Sequence, residues 1–131
     1  MTQMFPISKL KTLQTPFYYY DTDLLRATLH TINDKVAQHN NYVAYYAVKT
    51  NANPEIWQII CEAGLGANTI SGDEKEKVIE SGFQQDRIVF AEVDKSDWEI
   101  HLALDENILY FKVEGIPELA IIDKSATERL Y

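Results

Sequence analysis

The chain has 131 residues, 46% of them apolar and 11% aromatic, enough for one cored domain and too much for a disordered tail. A net charge of −8 argues against nucleic acid or an anionic membrane as the main partner, and no basic cluster interleaved with aromatics offsets it. No apolar run reaches the ~20 residues that span a bilayer, residues 1–6 lack the pattern of a signal peptide, and the single Cys61 excludes an internal disulfide or a cysteine zinc cluster, so a cytoplasmic setting is expected.

Residues 1–21 read as an N-terminal extension with one strand-like run at 16–20, ahead of a regular series over 22–131. A helix is expected over 23–38, where Leu25, Leu29, Ile32 and Val36 fall on one face. The apolar run 42–48 reads as the first strand of the series. Asn53-Pro54 then gives an N-cap followed by proline at the first helical position. Gly64 is placed to end that helix, and residues 67–70 read as the second strand. Ser71-Gly72-Asp73-Glu74 carries the capping-box pattern, Gly82 ends the helix it opens, and 87–91 reads as the third strand. Ser96-Asp97-Trp98-Glu99 repeats the capping box before the fourth strand, 108–113.

These strands begin near 42, 66, 87 and 108, at intervals of 24, 21 and 21 residues. Short, mostly continuous apolar runs separated by helices predict an α/β fold of about four βα units with parallel strands and right-handed crossovers. An open doubly wound sheet and a partial (β/α)8 barrel both fit. A complete barrel needs at least ~200 residues.

Parallel βα folds carry their chemistry at the carboxyl ends of the strands. Those ends place Lys49 after the first strand, residues 68–71 at the second, 92–95 at the third and Glu114 at the fourth. Lys49 directly follows seven strand residues, a position open to the desolvation that frees an amine for Schiff-base chemistry. The plainer reading is a lysine capping a strand edge in water.

The residues around it decide the matter. Tyr46-Ala47-Val48-Lys49-Thr50-Asn51 closely resembles the Y-A-V-K-A-N motif of the pyridoxal-phosphate decarboxylases that act on diaminopimelate, arginine and ornithine. The resemblance extends upstream to Thr15-Pro16-Phe17-Tyr18-Tyr19-Tyr20-Asp21. It continues through Gly64-Leu65-Gly66-Ala67-Asn68, Ser71-Gly72-Asp73-Glu74, Gly82-Phe83 and Arg87-Ile88-Val89-Phe90 to Lys95-Ser96-Asp97 and Val113-Glu114. It runs from Thr15 to about Asp123 and is strongest to the diaminopimelate branch, which makes lysine.

The resemblance implies an N-terminal βα-barrel with a C-terminal β domain, in a dimer with shared sites. Lys49 is implied as both the catalytic and the cofactor-binding residue, the amine that joins pyridoxal phosphate, with an amino acid as substrate and no metal. It also implies that the family's stacking histidine, phosphate loop, acid at the ring nitrogen and C-terminal-domain residues lie beyond Tyr131. The chain is therefore expected to be truncated, to bind pyridoxal phosphate weakly or not at all, and to be inactive alone. The alternative is a non-catalytic cofactor-binding or α/β interaction domain that associates with another chain.

Departures from the family pattern cluster at the functional end of the sheet. Asn68 stands where the family has aspartate, which removes a charge partner for Lys49. Asp73 replaces the second glycine of S-G-G-E, and Glu92 and Asp94 replace both glycines of F-A-G-V-G-K. If either of the last two glycines had positive φ, the acid there would cost about 1 kcal/mol or more. Lys112 and Gly115 replace the asparagine and serine of N-V-E-S.

Other candidates have simpler explanations. His30, His39 and His101 are scattered, Cys61 reads as a buried inert thiol, and residues 73–77 read as a solvated helix face with i,i+3 and i,i+4 ion pairs. Gly64-Leu65-Gly66 precedes a strand and so reads as a turn, not a phosphate cradle. The tyrosines at 18–20, 45 and 46 alternate between packing and surface. Four βα units leave two open parallel edges, so self-association is expected, either as a dimer closing eight strands or as aggregate.

Overall fold

The computed structural model describes residues 6–129. Two helices, α1 (Ile7–Leu10) and α2 (Thr22–Val36), precede four repeats. These are β1 (Tyr45–Ala47) with α3 (Pro54–Glu62), β2 (Gly66–Thr69) with α4 (Gly72–Glu80), β3 (Ile88–Phe90) with α5 (Asp97–Asp105), and β4 (Tyr110–Phe111) with α6 (Ile116–Glu128).

The helix boundaries follow local chemistry. Asp21 caps α2 by accepting the amide hydrogen of Leu24 at 2.9 Å, and Asn53 caps α3 through Glu55. At their other ends α3, α4 and α5 finish alike. Gly64, Gly82 and Asn107 take positive φ, and the next amides, of Leu65, Phe83 and Ile108, reach back to the carbonyls of Ile60, Val78 and Ala103. This is a Schellman closure, and the apolar residue after it leads the chain into the next strand.

All strand pairs are parallel and the sheet order is β1-β2-β3-β4. Right-handed crossovers between strands added always in the same direction place every connecting helix on one side. The helix-facing residues Ala67, Thr69, Ile88 and Phe90 are accordingly sealed at 0% exposure. Ile56, Trp57, Ile59 and Ile60 of α3 join Ala67, Ile88, Val78 and Leu29 in the core. A doubly wound sheet needs a reversal of strand order, and there is none here. The chain is thus an arc of a (β/α)8 barrel, as expected, holding four of its strands.

Several local expectations are corrected. No strand forms at 16–20: the segment does not join the sheet, whose four strands all lie beyond residue 44. β1, β3 and β4 are shorter than their apolar runs, since pairing is limited to two or three register pairs at each seam, and β2 keeps its four residues but starts one earlier, at Gly66. On α2 the apolar face is buried at Leu29 and half-buried at Leu25 and Val36, whereas Ile32 stays exposed. The run 73–77 is not a fully solvated face: Lys75 is buried at 0%, and the expected ion pairs are not formed among the described residues.

Candidate functional site

Lys49 stands in a single 3-10 turn, residues Val48–Thr50, at the carboxyl end of β1. The turn is stapled on both sides. The Thr50 hydroxyl donates to the Ala47 carbonyl at 2.8 Å, and Asn51 donates its amide to Val48. Asn51 accepts from the Asn53 amide through its side chain and from the Trp57 indole through its carbonyl. Trp57 and Val48 are both buried, so the backbone under Lys49 is anchored to the core. The side chain itself is exposed and makes no hydrogen bond or ion pair among the described residues. Lys49 is therefore exposed in these four units, at the end of the sheet face that no helix covers.

Strand alternation places Tyr45, Ala47, Asn68, Val89 and Tyr110 on that uncovered face, with Ala47, Asn68, Val89 and Tyr110 linked in register. Asn68 is the notable member. Its Oδ1 is buried yet accepts no hydrogen bond, an unsatisfied state that calls for a donor from outside these residues. Below it the Tyr45 ring lies over Gly66, where an added Cβ would sit 2.4 Å from the ring and 2.7 Å from the Arg87 carbonyl. Burial, then a hydrogen bond with Tyr110, pushes the Tyr45 hydroxyl up to about 12.

Around the remaining strand ends the polar groups mostly satisfy one another. Glu99 accepts the Gly72 amide at 3.0 Å and the Ser96 amide at 3.0 Å, with the Ser96 hydroxyl at 2.6 Å. Burial pushes its carboxyl up, but the hydrogen bonds from Ser96 and Gly72 outweigh that and hold it below the usual range. Gly72 is needed for this approach, since a Cβ there would meet the Trp98 ring at 2.5 Å. Ser71 receives the Glu74 amide as expected, while Glu74 reaches past the cap to the Ile70 amide.

Lys95 is buried and donates to the carbonyls of Glu92 and Lys112 and to Glu118 Oε1 at 2.7 Å. Glu118 also accepts the Glu114 amide, and its carboxyl is held low by Lys95 first and that amide second. Asp94 has φ 59, so one of the two acid-for-glycine changes does occupy a left-handed position; Glu92 does not. Asp73 lies in the first turn of α4 and Gly115 is extended at φ −165, so neither position requires glycine. Lys112 pairs with Glu114 at 2.7 Å.

Sequence reading missed Lys75, a fully buried amine with no partner, whose burial lowers its pKa against weaker opposing pulls from Glu106, Glu76 and Asp105. The available signal was its spacing of three from both Gly72 and Val78, the other buried positions of α4. Cys61 is half-buried rather than buried, and burial followed by Glu62 pushes its thiol up, which suits an unreactive side chain. His30 faces Asp34 at 3.6 Å on the surface, and no group of three metal-ligating side chains occurs among the described residues. No described helix is long and apolar enough to cross a membrane.

An aldehyde-bearing cofactor fits this arrangement in part. Lys49 offers a free amine at a strand carboxyl end, and Asn68 offers an unused acceptor on the same sheet. The start of α4 offers a phosphate no cradle: the Gly72 and Glu74 amides are already taken, and Asp73 and Glu74 repel an anion.

The chain is 52% identical over 126 residues to diaminopimelate decarboxylase of Bacteroides thetaiotaomicron, covering 96% of this chain and 33% of that protein. It is 34% identical over 116 residues to the diaminopimelate decarboxylase of Helicobacter pylori strain J99, covering 88% of this chain and 28% of that one. A crystal structure of the Helicobacter pylori enzyme complexed with L-lysine superposes with a TM-score of 0.80 at 34% identity, over 94% of this chain and 31% of that chain. The chain thus spans about a third of the length of these relatives. Residues 23–130 match the pyridoxal-binding domain of the pyridoxal-dependent decarboxylases, and the chain belongs to that family.

Proposed function

We propose that this chain holds pyridoxal phosphate, weakly, through Lys49, as the N-terminal barrel segment of a diaminopimelate decarboxylase does, and that alone it does not decarboxylate. The observation that carries this reading is the unpartnered Lys49 amine on an anchored turn at the end of β1, within the matched segment. When bound, the cofactor supplies an electron sink for a substrate carbanion. Lys49 would hold the cofactor through its side-chain amine, and Asn68 Oδ1 would accept a hydrogen bond from the ligand side. Weak binding follows because the phosphate, a major anchor of such ligands, finds no cradle at the start of α4. Inactivity alone is supported by the chain spanning about a third of the length of its relatives.

Diaminopimelate is the proposed substrate of the whole protein, with the cytoplasm as its setting, and self-association belongs to the same reading.

Incubation with pyridoxal phosphate, borohydride reduction and peptide mapping should place the adduct on Lys49. Equal labelling of the exposed Lys35 and Lys77 would overturn the assignment. The purified chain should release no CO₂ from diaminopimelate above the rate of free pyridoxal phosphate.

A further inference from the structure

Between the amino-terminal halves of α5 and α6 lies a groove of about 470 Å³, a size usual for small-molecule sites. Its lining comes from the loop after β3, from α5, from the loop after β4 and from α6, so it sits within the array and not at an outer edge of the sheet. Ile100 is its most buried lining residue, at 0% exposure, while Val93 and Ile121 are about half exposed. Walls of this kind favour an apolar stem, which leaves water on entering.

What the stem should end in follows from the charges. Of the four ionisable side chains that line the groove, Asp94, Glu114 and Glu118 are acids and only Lys95 is a base. Lys95 has nothing left for an anion: its three hydrogens go to the carbonyls of Glu92 and Lys112 and to Glu118. Glu118 is equally committed, to Lys95 and to the Glu114 amide. Asp94 makes no hydrogen bond or ion pair among the described residues. The Glu114 carboxylate pairs with the exposed Lys112, a surface contact that an incoming cation can share. The lining thus offers two carboxylates and no free base.

We propose that this groove binds a primary alkylammonium ion, its carbon stem against Val93, Ile100 and Ile121 and its charged head held by Asp94 and Glu114. Lys49 is not among the lining residues, so the site is separate from the one described above and its occupation does not rest on a cofactor.

NMR titration of the full, isotope-labelled chain with pentylammonium, pentanol and pentanoate separates the stem from the head. Pentylammonium should shift the methyl signals of Val93, Ile100 and Ile121 saturably, pentanol should bind several-fold more weakly, and pentanoate should leave those signals unmoved. Asp94→Asn and Glu114→Gln should each weaken pentylammonium by about two- to fivefold, the range of exposed ion pairs, whereas Asp86→Asn at the other end of β3 should not. Ile121→Lys, at a half-exposed position, should abolish binding by placing an ammonium in the groove, with an unchanged amide spectrum elsewhere to show that the variant is folded. Equal affinity for pentanol or pentanoate would overturn the choice of a cation. Shifts spread over the acidic surface, no shift at the three methyl-bearing residues, or full binding to Ile121→Lys would overturn the site itself.

Discussion

The buried ammonium of Lys95 lies 2.7 Å from Glu118 Oε1, with side-chain exposures of 0% and 17%, and so ties the loop after β3 to the first turn of α6. The Lys112 carbonyl completes the link to the end of β4. Removing the amine would strand a carboxylate and two carbonyls at once. Lys95→Ala should therefore destabilise the chain by about 3 kcal/mol or more, measured by urea unfolding. Lys124→Ala, which removes an exposed partner of Glu128, should change stability by less than about 0.5 kcal/mol.

Glu99 makes the corresponding link between α4 and α5. Glu99→Ala leaves the Gly72 and Ser96 amides unsatisfied and should cost about 1–3 kcal/mol. Its folded pKa is depressed below the ordinary 4.5, so the folded state binds fewer protons in that region. The contribution is complete above about 4.5 and is lost as pH falls through the depressed folded value. The stability gap between wild type and Glu99→Gln, followed down from pH 6, should narrow below that point.

Lys75 predicts the opposite sign. Its folded pKa lies below the ordinary 10.5, so the unfolded chain binds the extra proton. Stability should fall as pH drops from about 10.5 to the depressed folded value, then stay level. Lys75→Met keeps the length of the stem and removes a buried donor without a partner. It should stabilise by about 1–3 kcal/mol and abolish that pH dependence in chemical denaturation.

Two glycine positions separate crowding from backbone strain. Gly66→Ala meets the Tyr45 ring and a backbone carbonyl that cannot swing aside, so a loss of about 1–3 kcal/mol is expected. Asp94→Gly relieves a left-handed residue and should gain up to about 1 kcal/mol, since aspartate tolerates that conformation better than most. Thermal unfolding of both variants against wild type checks the two signs together.

The sequence by itself determined where the helices between the strands begin and where two of them end. Asn53, Ser71 and Ser96 start helices, and Gly64 and Gly82 end them, because a cap is satisfied by partners only a few residues away. The 21-to-24-residue spacing of apolar runs likewise fixed the strand series, and the motif around Lys49 fixed its place at a strand end. Tertiary structure decided which residues became buried. The run 73–77 reads as solvated until α5 packs over Gly72 and encloses Lys75. Lys49 stays exposed, the plainer of its two positional readings, because it stands past the last residue of β1 where no helix packs over it. Nor could spacing choose between barrel and open sheet, because that depends on which edge each new strand joins. Always joining the same edge put every helix on one side and left the opposite face, which bears Asn68, without a helix.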